Sequence, residues 1–197
     1  MKVAILKYNA GNTQSVIFAL QRVGIEAVLS DEPEILKTAD KIIFPGVGEA
    51  STAMQYLQSK NLDKLIPQFT QPVLGICLGM QLLGEHSEEN NTKALGIFPT
   101  KVKKFPFQPH QKVPHIGWNN IEISDNILLQ NIENQPFVYY VHSYYMEISD
   151  FTIAKTNYIV PFAAAIQKDN FFATQFHPEK SADVGEKILT NFLNIQY

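Results

Sequence analysis

The stretch 72-PVLGICLGMQLLG-84 joins a short apolar run to a segment with helical spacing, and it contains the only cysteine of the chain. Gly75 lies two residues before Cys77 and Gly79 two residues after it, which is the spacing of a nucleophile elbow with sulfur in place of oxygen. In such an elbow the nucleophile adopts a strained strand-to-helix turn, and the flanking glycines let neighbouring chain pass closely. This stretch alone is equally consistent with a structural cysteine, because free cysteines are usually buried.

The segments around this stretch predict the fold. Short apolar runs alternate with helical segments through the first half of the chain, as in a parallel sheet whose strands are buried on both faces. The runs are VAILK at 3–7, EAVLS at 26–30, KIIFPG at 41–46 and PVLGI at 72–76. From 100 to 174 strand-like runs follow one another with little helix, which predicts an antiparallel extension. The chain closes with an amphipathic helix at 181–195 behind a serine N-cap. We expect a three-layer, flavodoxin-like α/β fold with a mainly parallel central sheet.

Composition limits the classes of function. The 197 residues show no low-complexity linker, so we expect a single domain over 1–197. The formal net charge of −3, without a basic stripe, argues against nucleic acid as a partner. The apolar run at 3–6 is too short for a signal peptide or a membrane span, and we expect a cytoplasmic protein with no membrane partner. The few, scattered cysteine and histidine residues predict no metal site, and no cofactor is expected.

A second segment, 171-FFATQFHPEKS-181, decides between the two interpretations of the cysteine. A strand ends at His177, and Glu179 follows two residues later. A thiol needs a base to take its proton, and the base needs an acceptor to hold its ring; Cys77, His177 and Glu179 supply these roles in that order. The loops that leave the carboxyl ends of parallel strands meet at one edge of a sheet. We therefore expect a catalytic triad there.

The third element is 44-FPGVGEAS-51, another glycine-containing turn before a helix. Such turns often bind phosphate, but this one lacks the lysine of a P-loop and the glycine spacing of a dinucleotide site. Next to the elbow, a backbone N–H of this turn can complete an oxyanion hole with the Leu78 N–H. We expect the donor to be Val47, or its neighbours Gly46 and Gly48.

The motifs G-I-C-L-G-M-Q, P-G-V-G and F-H-P-E-K-S occur in the order found in the class I, triad-type glutamine amidotransferases, and the chain resembles that family over most of its length. The resemblance implies that Cys77 forms a γ-glutamyl thioester. His177 would act as the base and then as the acid that protonates ammonia, while Glu179 orients its imidazole ring. By the same resemblance, the residues that line the glutamine pocket, partly through main chain, are Gln81, His142, Ser143 and Tyr144.

Four further segments are similar to the glutaminase subunits of imidazole glycerol phosphate synthase, a subfamily of these enzymes. They are 8-YNAGNTQSV-16, 113-VPHIGWN-119, 141-VHSYY-145 and 174-TQFHPEKS-181. This similarity implies L-glutamine as substrate and a heterodimer with a cyclase subunit, which uses the ammonia in histidine biosynthesis. The turn YNAGN, where many relatives have an aspartate and a second glycine, and the segment 99–112 depart from the pattern, but neither touches the triad.

The glutaminase fold would use nearly all of the 197 residues, so we expect the domain that accepts ammonia to lie on another chain. The only tryptophan, Trp118, lies in 113-VPHIGWNN-120, where proline, glycine and asparagine indicate an exposed bend. Tryptophan is usually mostly buried, but it is also over-represented at the centres of interfaces. We expect Trp118 to contact the partner, with Lys180 as a charged neighbour at the rim.

Three alternatives remain open from the sequence. The first is a free-standing hydrolase of γ-glutamyl bonds, which would need no partner. The second is the amidotransferase subunit of another pathway, such as pyridoxal phosphate, aminobenzoate or anthranilate synthesis, against which the segment VPHIGWN argues. The third is a non-catalytic binding module on the same type of sheet, against which an intact triad argues.

Overall fold

The computed structural model describes residues 1–8 and 13–196, so positions 9–12 of the YNAGN turn lie outside the described residues, as does Tyr197. The helices are α1 (Thr13–Arg22), α2 (Pro33–Lys37), α3 (Ala50–Ser59), α4 (Leu62–Leu65), α5 (Leu78–Leu83) and α6 (Ala182–Asn194). The strands are β1 (Val3–Leu6), β2 (Ala27–Ser30), β3 (Lys41–Phe44), β4 (Val73–Ile76), β5 (His86–Ser87), β6 (Thr92–Lys93), β7 (Lys101–Lys104), β8 (His115–Asn120), β9 (Glu122–Ile123), β10 (Phe137–His142), β11 (Tyr144–Met146), β12 (Thr152–Tyr158), β13 (Val160–Lys168) and β14 (Phe171–Thr174). Within the described ranges, none of these helices has the length and apolar character needed to cross a membrane.

An eight-stranded sheet forms the centre of the fold, in the order β2-β1-β3-β4-β14-β13-β12-β9. The first five of these strands run parallel, and β13, β12 and β9 continue the sheet in antiparallel pairing. The expected mixed sheet is therefore confirmed. The run FFATQF, which the sequence placed in the antiparallel half, supplies β14, and this strand pairs parallel with β4. This pairing brings the segment before His177 alongside the segment before Cys77.

Two smaller sheets account for strands that do not join the central sheet. Strands β8 and β10 form an antiparallel ribbon, and β11, β7, β5 and β6 form a second, four-stranded sheet. The sequence predicted strands in the regions of β7, β8, β10 and β11, but it did not predict the two-residue strands β5 and β6. It also did not predict the separation from the main sheet, because pairing partners far apart in the chain leave no local signal. Ser143 links the two small sheets, because it connects β10 to β11.

Helices cover both faces of the central sheet. Helices α1 and α6 bury their apolar faces on one side, and α2, α3 and α5 bury theirs on the other. The predicted C-terminal helix is confirmed, with Ile188, Leu189 and Phe192 fully buried and Val184 partly buried. Burying a side chain the size of Phe192 stabilises a fold by roughly 1.5–3 kcal/mol. The two cores hold the carboxyl edge of the sheet, where β4 and β14 end, in a fixed geometry.

Candidate active site

Cys77 lies at the junction of β4 and α5 with φ +53° and ψ −106°, a backbone conformation that non-glycine residues rarely adopt. Its N–H donates to the carbonyl oxygen of Thr174 at 2.8 Å, which ties the elbow to β14. A Cβ on Gly79 would lie 1.8 Å from the Phe44 carbonyl oxygen, so only glycine allows the elbow to pack against the end of β3. The structure therefore forms the strained turn that the glycine spacing predicted.

His177 and Glu179 lie beside this elbow, because β14 runs parallel to β4 and ends at the same edge of the sheet. Both side chains are buried, and Nδ1 of His177 lies 2.7 Å from Oε1 of Glu179. Nε2 of His177 is buried without a hydrogen-bond partner. A carboxylate on Nδ1 orients the ring and fixes its proton there, which leaves Nε2 for proton transfer at the sulfur of Cys77.

The charges around His177 favour its protonated form. Burial is the largest single influence and lowers the pKa of the imidazole, but the neighbouring Cys77 sulfur and the Glu179 carboxylate together raise it to about 10. The charge of the sulfur is the largest of the influences that raise this pKa. An imidazolium held between a carboxylate and a thiol is the arrangement that a cysteine nucleophile with a proton donor requires.

Ser181 holds the loop that carries the histidine. It occupies the N-cap position of α6, as predicted, but its side chain makes no capping bond to the helix. Its Oγ donates instead to the His177 carbonyl oxygen at 2.7 Å and accepts from the Tyr139 N–H at 3.0 Å. The His177 N–H in turn donates to the Tyr139 carbonyl oxygen at 2.9 Å. The serine thus fixes His177 against strand β10.

A cavity of about 320 Å³ opens at the elbow. It is lined by Val47, Gly48, Cys77, Leu78, Gln81, Glu89, Pro114, Val141, His142, Ser143 and Tyr144. The structure thereby brings the four residues expected in a glutamine pocket together with the nucleophile and two of the residues expected in the oxyanion turn. His177 and Glu179 are buried behind the thiol. Trp118 and Lys180 lie outside this cavity.

Two polar residues of the site were not singled out from the sequence. Glu89 lines the cavity, and burial raises the pKa of its carboxyl, an effect that the Ala50 N–H opposes. Gln175 is buried, and its Nε2 donates to the Cys77 sulfur at 3.6 Å. Gln175 could have been noticed because it precedes the H-P-E motif on the same strand end. Glu89 follows no motif, and only long-range packing places it in the cavity.

The backbone N–H that was expected to form the oxyanion hole is already hydrogen-bonded within the chain. The Leu78 N–H, which was expected to face the substrate, donates to the Gly46 carbonyl oxygen at 3.2 Å. The Gly46 carbonyl therefore occupies the position at which a substrate oxygen would bind. Rotation of the peptide between Gly46 and Val47 would withdraw this carbonyl and present the Val47 N–H instead. Gly48, which follows, has φ +130° and so already has a backbone conformation that glycine alone adopts readily.

The class of protein follows from comparison with known families. The model of the glutamine amidotransferase class-I family matches residues 5–195. A crystal structure of a glutamine amidotransferase shares 18% identity and a TM-score of 0.75 over 97% of this chain and 96% of that one. A putative GMP synthase protein from Thermoplasma acidophilum shares 19% identity and a TM-score of 0.74 over 98% and 92%. The chain belongs to the class I glutamine amidotransferase family, and these structures share its fold.

Within the family, two relatives of higher sequence identity carry the same name. The protein "Imidazole glycerol phosphate synthase subunit HisH" of Bacteroides fragilis (strain YCH46) is 56% identical over 99% of this chain and 100% of its own length. The protein of the same name from Escherichia coli (strain K12) is 47% identical over 99% and 100%. The chain therefore belongs to the HisH group of imidazole glycerol phosphate synthase subunits.

Proposed function

We propose that this chain hydrolyses L-glutamine to glutamate and ammonia through a thioester on Cys77, and that the ammonia passes to a cyclase subunit. The observation that carries the proposal is the strained, pocket-lining Cys77 backed by the buried pair of His177 and Glu179. The relatives of the HisH group are named as subunits of imidazole glycerol phosphate synthase, which supports a cyclase partner and a role in histidine biosynthesis. A cytoplasmic location stays a prediction.

The geometry supports a two-step reaction. The Cys77 sulfur, as thiolate, attacks the side-chain amide carbon of glutamine, and the resulting oxyanion is bound by the Leu78 and Val47 N–H groups. The carbon–nitrogen bond breaks as Nε2 of His177 gives its proton to the leaving ammonia. Neutral His177 then takes a proton from water, whose oxygen attacks the thioester carbon. The carbon–sulfur bond breaks, glutamate leaves, and the thiolate and imidazolium are restored.

The cavity offers partners for the two charged ends of glutamine. The Glu89 carboxylate lies in the cavity wall, where it can pair with the α-ammonium group. Ser143 and Tyr144 also line the cavity, and we expect their main chain to bind the α-carboxylate. Both contacts are distant from the amide carbon, so they fix the substrate without taking part in bond changes.

The first prediction concerns the oxyanion hole. Replacing Gly48 with valine should lower turnover about 100-fold or more, because the loop could no longer turn the Val47 N–H toward the oxyanion, and one such donor is worth about 10²–10³ in kcat. A Cβ at Gly48 would have no atom within 4 Å, so packing should be unaffected. A Cβ at Gly46, by contrast, would lie 2.1 Å from the Tyr8 hydroxyl, which makes Gly46 a poor position for this test.

Gly24 offers a matched control for this substitution. It also has a positive φ, +79°, and open space where a Cβ would be, but it lies at the end of α1, outside the residues that line the cavity. Gly24→Val and Gly48→Val should both lose stability from backbone strain, measured by chemical denaturation, but only Gly48→Val should lose turnover in the cyclase-bound enzyme. Equal losses of turnover in the two variants would show that the loop at Gly48 has only a structural role.

The ribbon of β8 and β10 supports the proposed contact with the cyclase. Trp118 is 53% exposed, which excludes the interpretation as a core residue. Its ring lies 6.1 Å from that of Tyr139, and the Lys180 ammonium lies 5.7 Å from the same ring. Ile116 on the same strand is 61% exposed and pairs with Val141, which lines the glutamine cavity. This apolar face therefore reaches the cavity mouth, where a partner receiving ammonia has to dock.

The second prediction concerns this face. Replacing Trp118 with alanine should weaken the complex with the cyclase by about 2 kcal/mol or more, which is about a 30-fold rise in Kd. Val28→Ala is the control, because Val28 is also 53% exposed but lies on β2, an edge strand of the central sheet and not part of the ribbon. A titration followed by calorimetry measures both. If Trp118→Ala binds the cyclase normally but has a much lower melting temperature, Trp118 is not part of the interface.

A further inference from the structure

Two histidines beside the glutamine cavity form a hydrogen-bonded pair that the proposed chemistry does not use. His115 on β8 and His142 at the end of β10 are both buried, and Nδ1 of His115 lies 3.1 Å from Nε2 of His142. Nδ1 of His142 lies 2.8 Å from the Tyr144 carbonyl oxygen. The His115 ring is sandwiched between Tyr140 and Tyr158, at centroid distances of 4.8 and 3.9 Å. Stacking from both sides fixes the plane of this ring.

The direction of each hydrogen bond is determined from both ends. A carbonyl oxygen only accepts, so Nδ1 of His142 must carry a proton, and Nε2 of the neutral ring then accepts from His115. At the other end, the Asn119 amide is oriented by donating to the Asn157 carbonyl oxygen and accepting from the Asn120 N–H. Its Nδ2 therefore faces Nε2 of His115, at 3.4 Å, as a donor. Every donor in this chain points from β8 toward Tyr144.

The surroundings keep both rings neutral, as this direction requires. Burial lowers the pKa of His115 to about 4. Burial also lowers the pKa of His142 to about 3, an effect that its bond to the Tyr144 carbonyl opposes and that the nearby His115 and His177 reinforce. Neutral rings donate from one nitrogen and accept at the other, so the chain of bonds is complete.

The Tyr144 carbonyl connects this pair to the nucleophile. The same oxygen accepts from Nε2 of Gln81 at 2.8 Å, and Gln81 also donates to Oε1 of Gln175 at 3.1 Å. This leaves the Gln175 amide nitrogen facing the Cys77 sulfur, at 3.6 Å. The Tyr144 carbonyl thus holds two parts of the site. One is the bend between β10 and β11, which lines the cavity, and the other is the Gln175 amide that donates to the Cys77 sulfur.

We propose that His115 and His142 are positioning residues: a directional relay from Asn119 through both rings fixes the Tyr144 carbonyl, and with it Gln81 and Gln175, at the glutamine cavity. Neither ring touches the reacting atoms in this role. The relay begins on β8, the strand that carries Trp118, so it ties the cavity wall to the partner-facing ribbon. The proposal deepens the proposed function, since it rests on glutamine binding in this cavity.

The direct test is the tautomer of each ring, read from nitrogen chemical shifts of the protein labelled with ¹⁵N-histidine. His115 and His142 should both be neutral with the proton on Nδ1 at pH 7, and the signals lost in a His115→Phe variant assign the first of them. A proton on Nε2 of either ring, or a protonated ring, would overturn the relay. This measurement needs no turnover, so it tests the relay independently of the proposed function. The proposed function has its own test, and it fails if the wild-type complex releases no ammonia from glutamine.

The kinetic test uses the complex with the cyclase. His115→Phe keeps the stacked ring but removes the donor to His142, and the KM for glutamine should rise about tenfold, the loss expected from one hydrogen bond, with kcat changed less. His115→Asn retains a donor near the Nδ1 position and should restore KM to within about threefold of the wild-type value. His86→Asn, outside the cavity, is the control and should leave KM unchanged. A wild-type KM in His115→Phe, or no recovery in His115→Asn, would refute a positioning role.

Discussion

Replacing Cys77 with serine should lower ammonia release from glutamine by about ten-thousandfold or more, because no other group of the cavity can form the thioester. A diazo ketone or chloroketone analogue of glutamine should label the wild-type protein with one equivalent, and Cys77 is the only cysteine that can be modified. The label is measured by mass spectrometry of the intact chain. Labelling that persists in Cys77→Ser would contradict the assignment of Cys77 as the nucleophile.

The control for this variant is the use of free ammonia. Cys77→Ser should still bind the cyclase, because the thiol is buried and the proposed docking surface is the exposed ribbon of β8 and β10. With ammonium salt in place of glutamine, the complex should therefore form the cyclase product at the wild-type rate. Loss of this ammonia-dependent reaction would mean that the substitution had damaged the assembly and not only the chemistry.

The second large effect is expected at His177. His177→Asn should lower turnover about a thousandfold or more, since both proton transfers pass through its Nε2. Replacing Glu179 with glutamine should cost less, by a factor of about ten or more, because the carboxylate orients the ring and raises its pKa without transferring a proton. Steady-state kinetics of the three complexes, wild type and both variants, measure these differences.

Substrate binding, by contrast, should be nearly unchanged in both variants. Both side chains lie behind the thiol and outside the cavity lining, so the KM for glutamine should change little in either. Thermal unfolding of both variants separates lost chemistry from lost structure. Equal and mild losses of turnover in His177→Asn and Glu179→Gln would argue against the triad.

The elbow at Cys77 and the position of His177 and Glu179 beside it were predictable because each has a local signature. Gly79 is required by the close approach of Phe44 to the turn and Gly75 by the close approach of the following helix, and a requirement of this kind is visible in five residues of sequence. His177 and Glu179 lie within one short segment. To place them beside Cys77, the prediction needed only that the two strands end at the same edge of the sheet. The parallel pairing of β14 with β4 supplies that edge, although the sequence alone placed this strand among antiparallel neighbours.

The remaining parts of the site depend on contacts between distant segments. Glu89 enters the cavity from a loop without a recognisable motif, and the bond from Gln175 to the sulfur depends on the register of two strands. The pair of His115 and His142 forms because β8 and β10 align these two residues opposite each other in a separate ribbon. Side-chain periodicity predicts strands, but it does not predict which strands pair, so none of these contacts was visible beforehand.

The most direct test of the account is ammonia release from glutamine by the purified chain, with and without the cyclase subunit. In the isolated chain the Leu78 N–H donates to the Gly46 carbonyl oxygen and is not free to bind an oxyanion. We therefore expect the chain alone to release ammonia slowly. Saturating cyclase should raise the rate by about 100-fold or more, the value of completing an oxyanion hole. Rapid release by the chain alone, unchanged when the cyclase is added, would contradict the account and identify a free-standing hydrolase.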